Sequence, residues 1–335
     1  MQWSTSTHNI KSLMMQRFQN LLKRLASKSW LHKKNTTHLP LLHKKDLQQL
    51  RTVATSHNNQ PITSLHEVKT WLLGERTSVY AGSGYEFAEN QLYVTGDDSR
   101  FINWRMLAKT GKLYRKVFNE ERRPELWVVV DKRASMRFGT KQRLKVTQAA
   151  IHALVHVYQA QQQQLACGGV ILSETPSWFK PTQNSNAIHA LCEQIIAPTP
   201  PLFSVEEKEY FDTLLRQLIE RLSAGSIVIL ISDFYDLNPN MLGTLHSLAA
   251  THTVIAKHII DPIEINLPAH GKFQVLNLQD TESTTLDCDD QNFKEDYRIK
   301  MQQQHHQIKQ QLIQAGVNYQ QCLSDETIIN EGSNE

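Results

Sequence analysis

Two carboxylates and a hydroxyl stand where a chain can gather oxygen ligands for a hard divalent cation. Asp131 ends the apolar run "LWVVVD", Ser135 follows four positions later, and Asp233 ends a second apolar run, "IVILISD". Mg²⁺ takes oxygen ligands and keeps several waters, so such a trio suits it. An aspartate at a strand end also has a plainer use, which is to cap the turn that follows. Arg133, a permanent cation, sits between Asp131 and Ser135. Three outcomes are open for its guanidinium. It repels the ion, it pairs with Asp131 or Asp233 and stands in for the ion, or it points outward and leaves the site intact. The site is read as degenerate: Mg²⁺ is the candidate cofactor, and its absence is the expectation.

A second stretch, "YVTGDDSRFINWR", concentrates residues suited to capping and contact. Asp97 or Asp98 can cap a helix running to about Lys109, with Gly111 as its stop. Trp104 is then an anchor, and Arg100 and Arg105 reach for carboxylates. Tyr93, Gly96, Asp97, Asp98, Arg100 and Trp104 form either a capped helix locked to the core or a surface that binds a partner.

Other patterns carry less. His152 and His156 stand at i and i+4, as zinc ligands can, but Ala153 removes the glutamate of the metalloprotease pattern and packing is the simpler role. His305 and His306 lie in a glutamine-rich helix and read as solvated. "AGSGYEF" lacks the lysine and spacing of a phosphate loop. No Ser/His/Asp or Cys/His set stands out with useful specificity.

Elements must position these groups. "LWVVV" and "SIVILIS" are flat in hydrophobicity, as parallel strands buried on both faces are. "CGGVILS" and "HTVIAKHII" read as two further strands. Helices are expected over "KQRLKVTQAAIHALVHVYQAQ" (Ile151, Leu154, Val155 and Tyr158 on one face), "NAIHALCEQII", "FDTLLRQLIERLSAG" and "NMLGTLHSLAAT". A last, long one covers "FKEDYRIKMQQQHHQIKQQLIQAG", with Phe293, Tyr297, Met301, Ile308 and Leu312 as its stripe. Strand–helix alternation predicts an α/β fold, a mostly parallel sheet with helices on both faces. Ligands of such sheets bind beyond the carboxyl ends of the strands, where Asp131 and Asp233 fall.

Bulk properties narrow the class. The chain has 335 residues, 40% hydrophobic and 21% charged, with a net charge of +3. Cys167, Cys192, Cys288 and Cys322 form no C-x-x-C pair, which argues against a zinc cluster or disulfide framework and suits a reducing, cytoplasmic compartment. No apolar run is long enough to cross a bilayer. Residues 1–45 hold nine Lys/Arg and no Asp or Glu, leaving 27 basic and 33 acidic groups on the rest. Such an arm, amphipathic or disordered, offers contact with a membrane surface or nucleic acid, or docks a partner. The expected organisation is the arm at 1–45, a β/loop-rich segment at 46–122, the α/β domain at 123–325 and a tail at 326–335.

The block "GSGYEFAENQLYVTGDDSRFINWRMLAKTGKLYRKVFNEERRPELWVVVDKRASMRFG", with "LISDFYD" and "IIDPIEINLPAHGKFQVLNLQDTES", resembles a bacterial family of domains of unknown function, DUF 58. The resemblance spans roughly residues 75–325, and the Gly-Asp-Asp-x-Arg-x-x-x-Trp run is its most specific part. It implies a von Willebrand factor A-like domain and a non-enzymatic adaptor, partnered with a MoxR-type AAA+ ATPase in assembly or maturation of an unknown client. It also implies a metal-ion-dependent adhesion site. Asp131 and Ser135 match the first and last positions of its loop, Arg133 replaces the first serine, and Asp233 matches the later aspartate. The family's threonine ligand has no assigned counterpart; Thr182 is the candidate. Gln91 and Asn103 depart from the Arg and Asp usual there. Against the adaptor stand two other readings, arm-mediated binding of nucleic acid or membrane, and a metal-dependent hydrolase using Asp131 and Asp233.

Overall fold

The computed structural model describes residues 40–56, 81–82, 86–119, 124–141, 143–173, 175–199, 210–276 and 283–326. The expected basic arm lies outside these up to residue 39, and the expected tail lies outside them beyond residue 326. The chain divides into two units, Gln60–Arg123 and the remainder.

The larger unit opens with α1 (Lys44–Ser56), whose Leu50 and Ala54 are buried. The boundary expected at residue 46 therefore falls inside a helix. It packs on the helix Lys145–Gln162 of the α/β unit, which makes α1 part of that unit. The smaller unit is an antiparallel sheet of β1 (Ala81–Gly82), β2 (Glu86–Leu92) and β3 (Tyr114–Asn119), in the order β1-β3-β2. Between β2 and β3 lie a 3₁₀ turn, Ser99–Phe101, and α2 (Trp104–Thr110).

From residue 124 the α/β alternation runs as expected, with strands the sequence did not announce. In order come β4 (Leu126–Asp131), α3 (Lys145–Gln162), β5 (Cys167–Leu172), β6 (Ser177–Thr182) and α4 (Ser185–Ile196). They are followed by α5 (Tyr210–Ile219), β7 (Ile227–Ser232), α6 (Pro239–Ala249) and β8 (Thr253–Ile260). A hairpin of β9 (Lys272–Leu276) and β10 (Ser283–Asp287), α7 (Gln291–Gln314) and β11 (Asn318–Leu323) complete the series.

The main sheet has the order β11-β8-β7-β4-β5-β6, parallel throughout except for the edge strand β6. Taking its strands in sequence, this is the doubly wound order 3-2-1-4-5-6. A mostly parallel six-stranded sheet of this order, flanked by helices and with one antiparallel edge, is consistent with the Rossmann-like, von Willebrand A-type fold that the resemblance implies. The four central strands are buried on both faces because helices cover both, which is why their sequences are apolar without alternation. Helix α3 is buried nearly all round. Ala149, Ala150, Ala153 and Val157 are buried along with Ile151, Leu154 and Tyr158, since α1 and α4 cover the side away from the sheet. The single apolar face expected for α3 is too narrow for a helix covered by three neighbours.

The order reverses between β4 and β7. In open α/β sheets that reversal opens a crevice at the carboxyl ends of the strands. Asp131 and Ser232 end the two strands side by side there, and Asp233 follows immediately.

Candidate functional site

The carboxyl rim is built from three strand ends. β4 supplies Asp131, β7 supplies Asp233 and Asp236, and β8 runs into Asp261 and a 3₁₀ turn, Pro262–Glu264. The last turn is a capping box: the Asp261 carboxylate accepts from the Ile263 N–H, and Glu264 accepts from the Asp261 N–H at 2.8 Å. Asp261 also ties the rim together, accepting from the Thr140 N–H at 2.9 Å and from the Ser324 hydroxyl, beyond β11, at 3.0 Å.

Arg133 turns back onto Asp131. Its backbone N–H donates to Asp131 Oδ1 at 2.9 Å, and its Nη2 to Oδ2 at 2.8 Å. The other side of the guanidinium grips Asp236, through Nη2 at 3.1 Å and through Nη1. The Phe211 ring lies 5.2 Å from the guanidinium carbon, and the Arg133 side chain is only 10% exposed. Asp131 Oδ2 accepts a further bond from the Ser232 hydroxyl at 2.7 Å. Burial disfavours the charge on Arg133, but Asp131 and Asp236 outweigh it and hold the guanidinium firmly protonated.

Lys145 occupies the first position of α3 and is 1% exposed. A cation at a helix N-terminus opposes the helix dipole, so this one is held by carboxylates. Its Nζ lies 2.9 Å from Asp233 Oδ2 and 2.9 Å from Glu264 Oε1, with the Tyr235 ring 5.0 Å away. Burial alone would raise the Asp233 carboxyl. Lys145, then Arg133, then the neighbouring Ser135 hydroxyl outweigh burial and bring the carboxyl below its ordinary value. For Glu264 burial wins and the carboxyl rises. Asp233 Oδ1 is buried and has no hydrogen-bond partner within 3.5 Å among the described residues.

The expected trio thus comes together with two cations inside it, the anticipated Arg133 and the unexpected Lys145. This donor set does not fit Mg²⁺. Both oxygens of Asp131 face N–H and O–H donors, and Asp233 faces an ammonium through Oδ2. A dication about 5 Å from the guanidinium would meet a repulsion of several kcal/mol at an effective dielectric near 20. Thr182 is not part of the rim. It pairs with Cys167, the first residue of β5, at the opposite end of the sheet from Leu172, which pairs with Asp131.

Lys145, Asp236, Asp261 and Glu264 were not expected from the sequence. "DPIE" does carry the capping-box spacing of an aspartate three residues before a glutamate, which marks Asp261 and Glu264. Nothing local marks Lys145, since lysines in a helix's first turn are ordinarily solvated. Lys132, next to the rim, caps α4 by donating to the Gln194 and Ala197 carbonyls; burial, aided by Arg137, pushes its pKa down to about 7.

The histidines are packing groups. His152 is buried with its pKa down to about 3, through burial and Lys257, and His156 hydrogen-bonds Gln159. His305 is not solvated as expected. It packs edge-on to the buried His258, with ring centroids 5.5 Å apart, and burial lowers its pKa to about 4.

The smaller unit holds the second set of candidates. Asp97 closes the turn after β2, accepting from the Val94 N–H at 2.9 Å and from Arg115 at 2.9 Å, while the Tyr93 hydroxyl donates to its carbonyl. Gly96 has φ +115°, which this turn requires of a glycine. Asp98 caps the 3₁₀ turn and pairs with Arg100 at 2.6 Å. The one helix expected from Asp97 or Asp98 onward is therefore two elements. Asn103 restarts the chain by capping α2 through the Met106 N–H, and Gly111 ends it at φ +68°. Trp104, expected as an anchor, is 65% exposed at the first position of α2, a helix that buries none of its residues. Gln91 accepts from Arg115, and Asn103 donates to Asn90, so the two departures from the family pattern are both bonded.

The family described as "Protein of unknown function DUF58" matches residues 89–307, most of the chain and both candidate regions. The chain belongs to the DUF58 family. It is similar to uncharacterized proteins of Mycobacterium bovis and Mycobacterium tuberculosis, at 27% identity over 252 residues, covering 73% of this chain and 76% of each relative. Among solved structures it is similar to a conserved hypothetical protein, BatB, of Bacteroides thetaiotaomicron, at 11% identity and TM-score 0.40, covering 61% of this chain and 92% of that one. An aerotolerance-related membrane protein from Bacteroides fragilis gives 10% identity and TM-score 0.30, covering 56% and 100%. The strand order of this DUF58 chain itself carries its fold assignment. No helix among its described residues is long and apolar enough to cross a membrane.

Proposed function

We propose that this DUF58 protein is a non-enzymatic adaptor of the cytoplasm. In this reading it binds a MoxR-type AAA+ ATPase and serves the assembly or maturation of a client complex. The observation that carries it is the state of the rim. A metal-dependent hydrolase needs an ion with an open position and a free base beside it. Here Asp131 and Asp233, the residues that would supply them, are engaged by Arg133 and Lys145. Such a rim suits a fixed surface, and the exposed Trp104 of the smaller unit offers the kind of aromatic group that dominates binding energy at protein interfaces.

The test is affinity capture of the tagged chain from its native host, in Mg²⁺ and then in chelator, read by mass spectrometry. Recovery of an AAA+ ATPase in both buffers supports the adaptor, and loss of that recovery in Trp104→Ala assigns the surface. Absence of any ATPase from both buffers sinks the reading. Salt-sensitive retention of nucleic acid or anionic vesicles that vanishes on deleting residues 1–39 would then favour the basic arm as the working part.

A further inference from the structure

We infer that Arg133 and Lys145 together are a built-in replacement for a divalent cation, and that removing Arg133 uncovers a latent cation site at Asp131, Ser135 and Asp233. The inference concerns the rim alone and stands or falls independently of any ATPase partner.

Charge is the first argument. The two side chains bring two positive charges to the carboxylates that a divalent ion would neutralise, one to Asp131 and one to Asp233, each shared with a second carboxylate, Asp236 and Glu264 respectively. Geometry is the second. The guanidinium donates to both Asp131 oxygens, rests on Phe211 and is locked from the far side by Asp236, so it is held rather than swinging in solvent. Planar, delocalised and weakly hydrated, guanidinium suits such a buried position better than an ammonium. The third argument is what is left over. Asp233 Oδ1 is buried with no hydrogen bond within 3.5 Å among the described residues, and the half-buried Ser135 hydroxyl lies close enough to the Asp233 carboxylate to help lower its pKa. A buried carboxylate oxygen without a donor at hydrogen-bond distance is unusual. Lys145 satisfies only the other oxygen.

With Arg133 present both oxygens of Asp131 are engaged, and the rim keeps its shape whatever the metal concentration. With a serine in its place, Asp131 regains free lone pairs and the loop reads Asp131-x-Ser-x-Ser135. That set supplies hard oxygen ligands, Asp233 through Oδ1 because Lys145 still holds Oδ2, with water completing the shell.

The experiment uses the full chain and Mn²⁺ as the probe, followed by electron paramagnetic resonance, with thermal melts in Mg²⁺ and in chelator alongside. Wild type is expected to leave Mn²⁺ free at millimolar concentration and to melt at the same temperature in both buffers. Arg133→Ser is expected to bind Mn²⁺ at least tenfold more tightly than wild type and to melt higher in Mg²⁺ than in chelator. Arg133→Gln, which keeps most of the volume over Phe211, shows the same change more weakly and stands in should the serine variant fail to fold. Folding of Arg133→Ser only when Mg²⁺ is added would be the strongest support. Tight Mn²⁺ binding by wild type overturns the inference. So does a folded Arg133→Ser or Arg133→Gln that binds no more Mn²⁺ than wild type.

Discussion

The same short motif, Asp-x-Arg, occurs in both units and folds the same way in each. At Asp131–Arg133 and again at Asp98–Arg100, the arginine N–H donates to the preceding carboxylate, at 2.9 and 3.0 Å, and the guanidinium curls back onto it through Nε and Nη2. Local sequence writes the ring; environment decides its worth. Asp131 and Arg133 are walled in by β4, β7 and Phe211, so neither charge can exchange its partner for water. Arg100 is 82% exposed on a turn and loses little if the pair opens. Exposed pairs contribute little to stability, whereas breaking a buried one strands a charge. The contrast assigns the first ring to holding the rim and leaves the second free to meet something else.

The strongest way to break that contrast is to remove a buried cation. Lys145→Met leaves Asp233 and Glu264 buried without a counter-charge, and the expected loss is about 3–5 kcal/mol in urea denaturation at pH 7. Glu264, already raised, then takes up a proton and limits the damage. Arg133→Met is next, at about 2–3 kcal/mol, smaller because Asp236 is 41% exposed and can rehydrate. Variants as stable as wild type would mean that the rim is wet and its ion pairs are interchangeable with solvent.

Much of this rim was legible in the sequence, and the illegible part has a physical cause. β4 and β7 announce themselves because strands buried on both faces are continuously apolar, and their terminal aspartates follow from them. β6, "SWFKPT", does not: an edge strand half in solvent needs no apolar run, and it tolerates Pro181. β11, "NYQQCL", is polar for the same reason. Lys145, Asp233 and Glu264 are 88 and 119 residues apart along the chain, measured from the lysine. Only the parallel registry of β4, β7 and β8 makes them neighbours, and no local pattern encodes that. Asp131–Arg133 was readable as a question because it is local; that Asp236 completes it was not. The exposed Trp104 shows the converse failure, since an aromatic beside a capped helix reads as core until the helix is seen to start at that very residue.

Acid separates the carboxylates of the rim from the histidines behind them. His152 and His258 have folded pKa values of about 3, mainly through burial, against 6.5 unfolded. Between those values the unfolded chain binds the extra proton, so stability falls as pH drops below about 6.5. At pH 5 the two contribute a loss of about 2 kcal/mol each. Asp233 is also lowered, but its contribution persists above 3.8 and disappears only as pH falls through its folded value. Glu264, being raised, has the opposite slope and weakens the fold as pH climbs through its range. The urea midpoint should therefore decline between pH 7 and pH 5, and His152→Gln should flatten that decline. A midpoint constant down to pH 4 would place these histidines in contact with water and remove the distinction.

The smallest effect is expected where the motif is exposed. Asp98→Ala opens the Arg100 ring and removes the cap of a single 3₁₀ turn, yet both side chains face solvent and the β2–β3 sheet is held by other bonds, among them Arg115 to Asp97 and to Gln91. Its urea midpoint should match wild type within error. If it falls as far as that of Arg133→Met, the two rings are equivalent and burial is not what distinguishes them. If it holds while partner capture is lost, the second ring is a recognition feature, and one local motif serves stability in one unit and contact in the other.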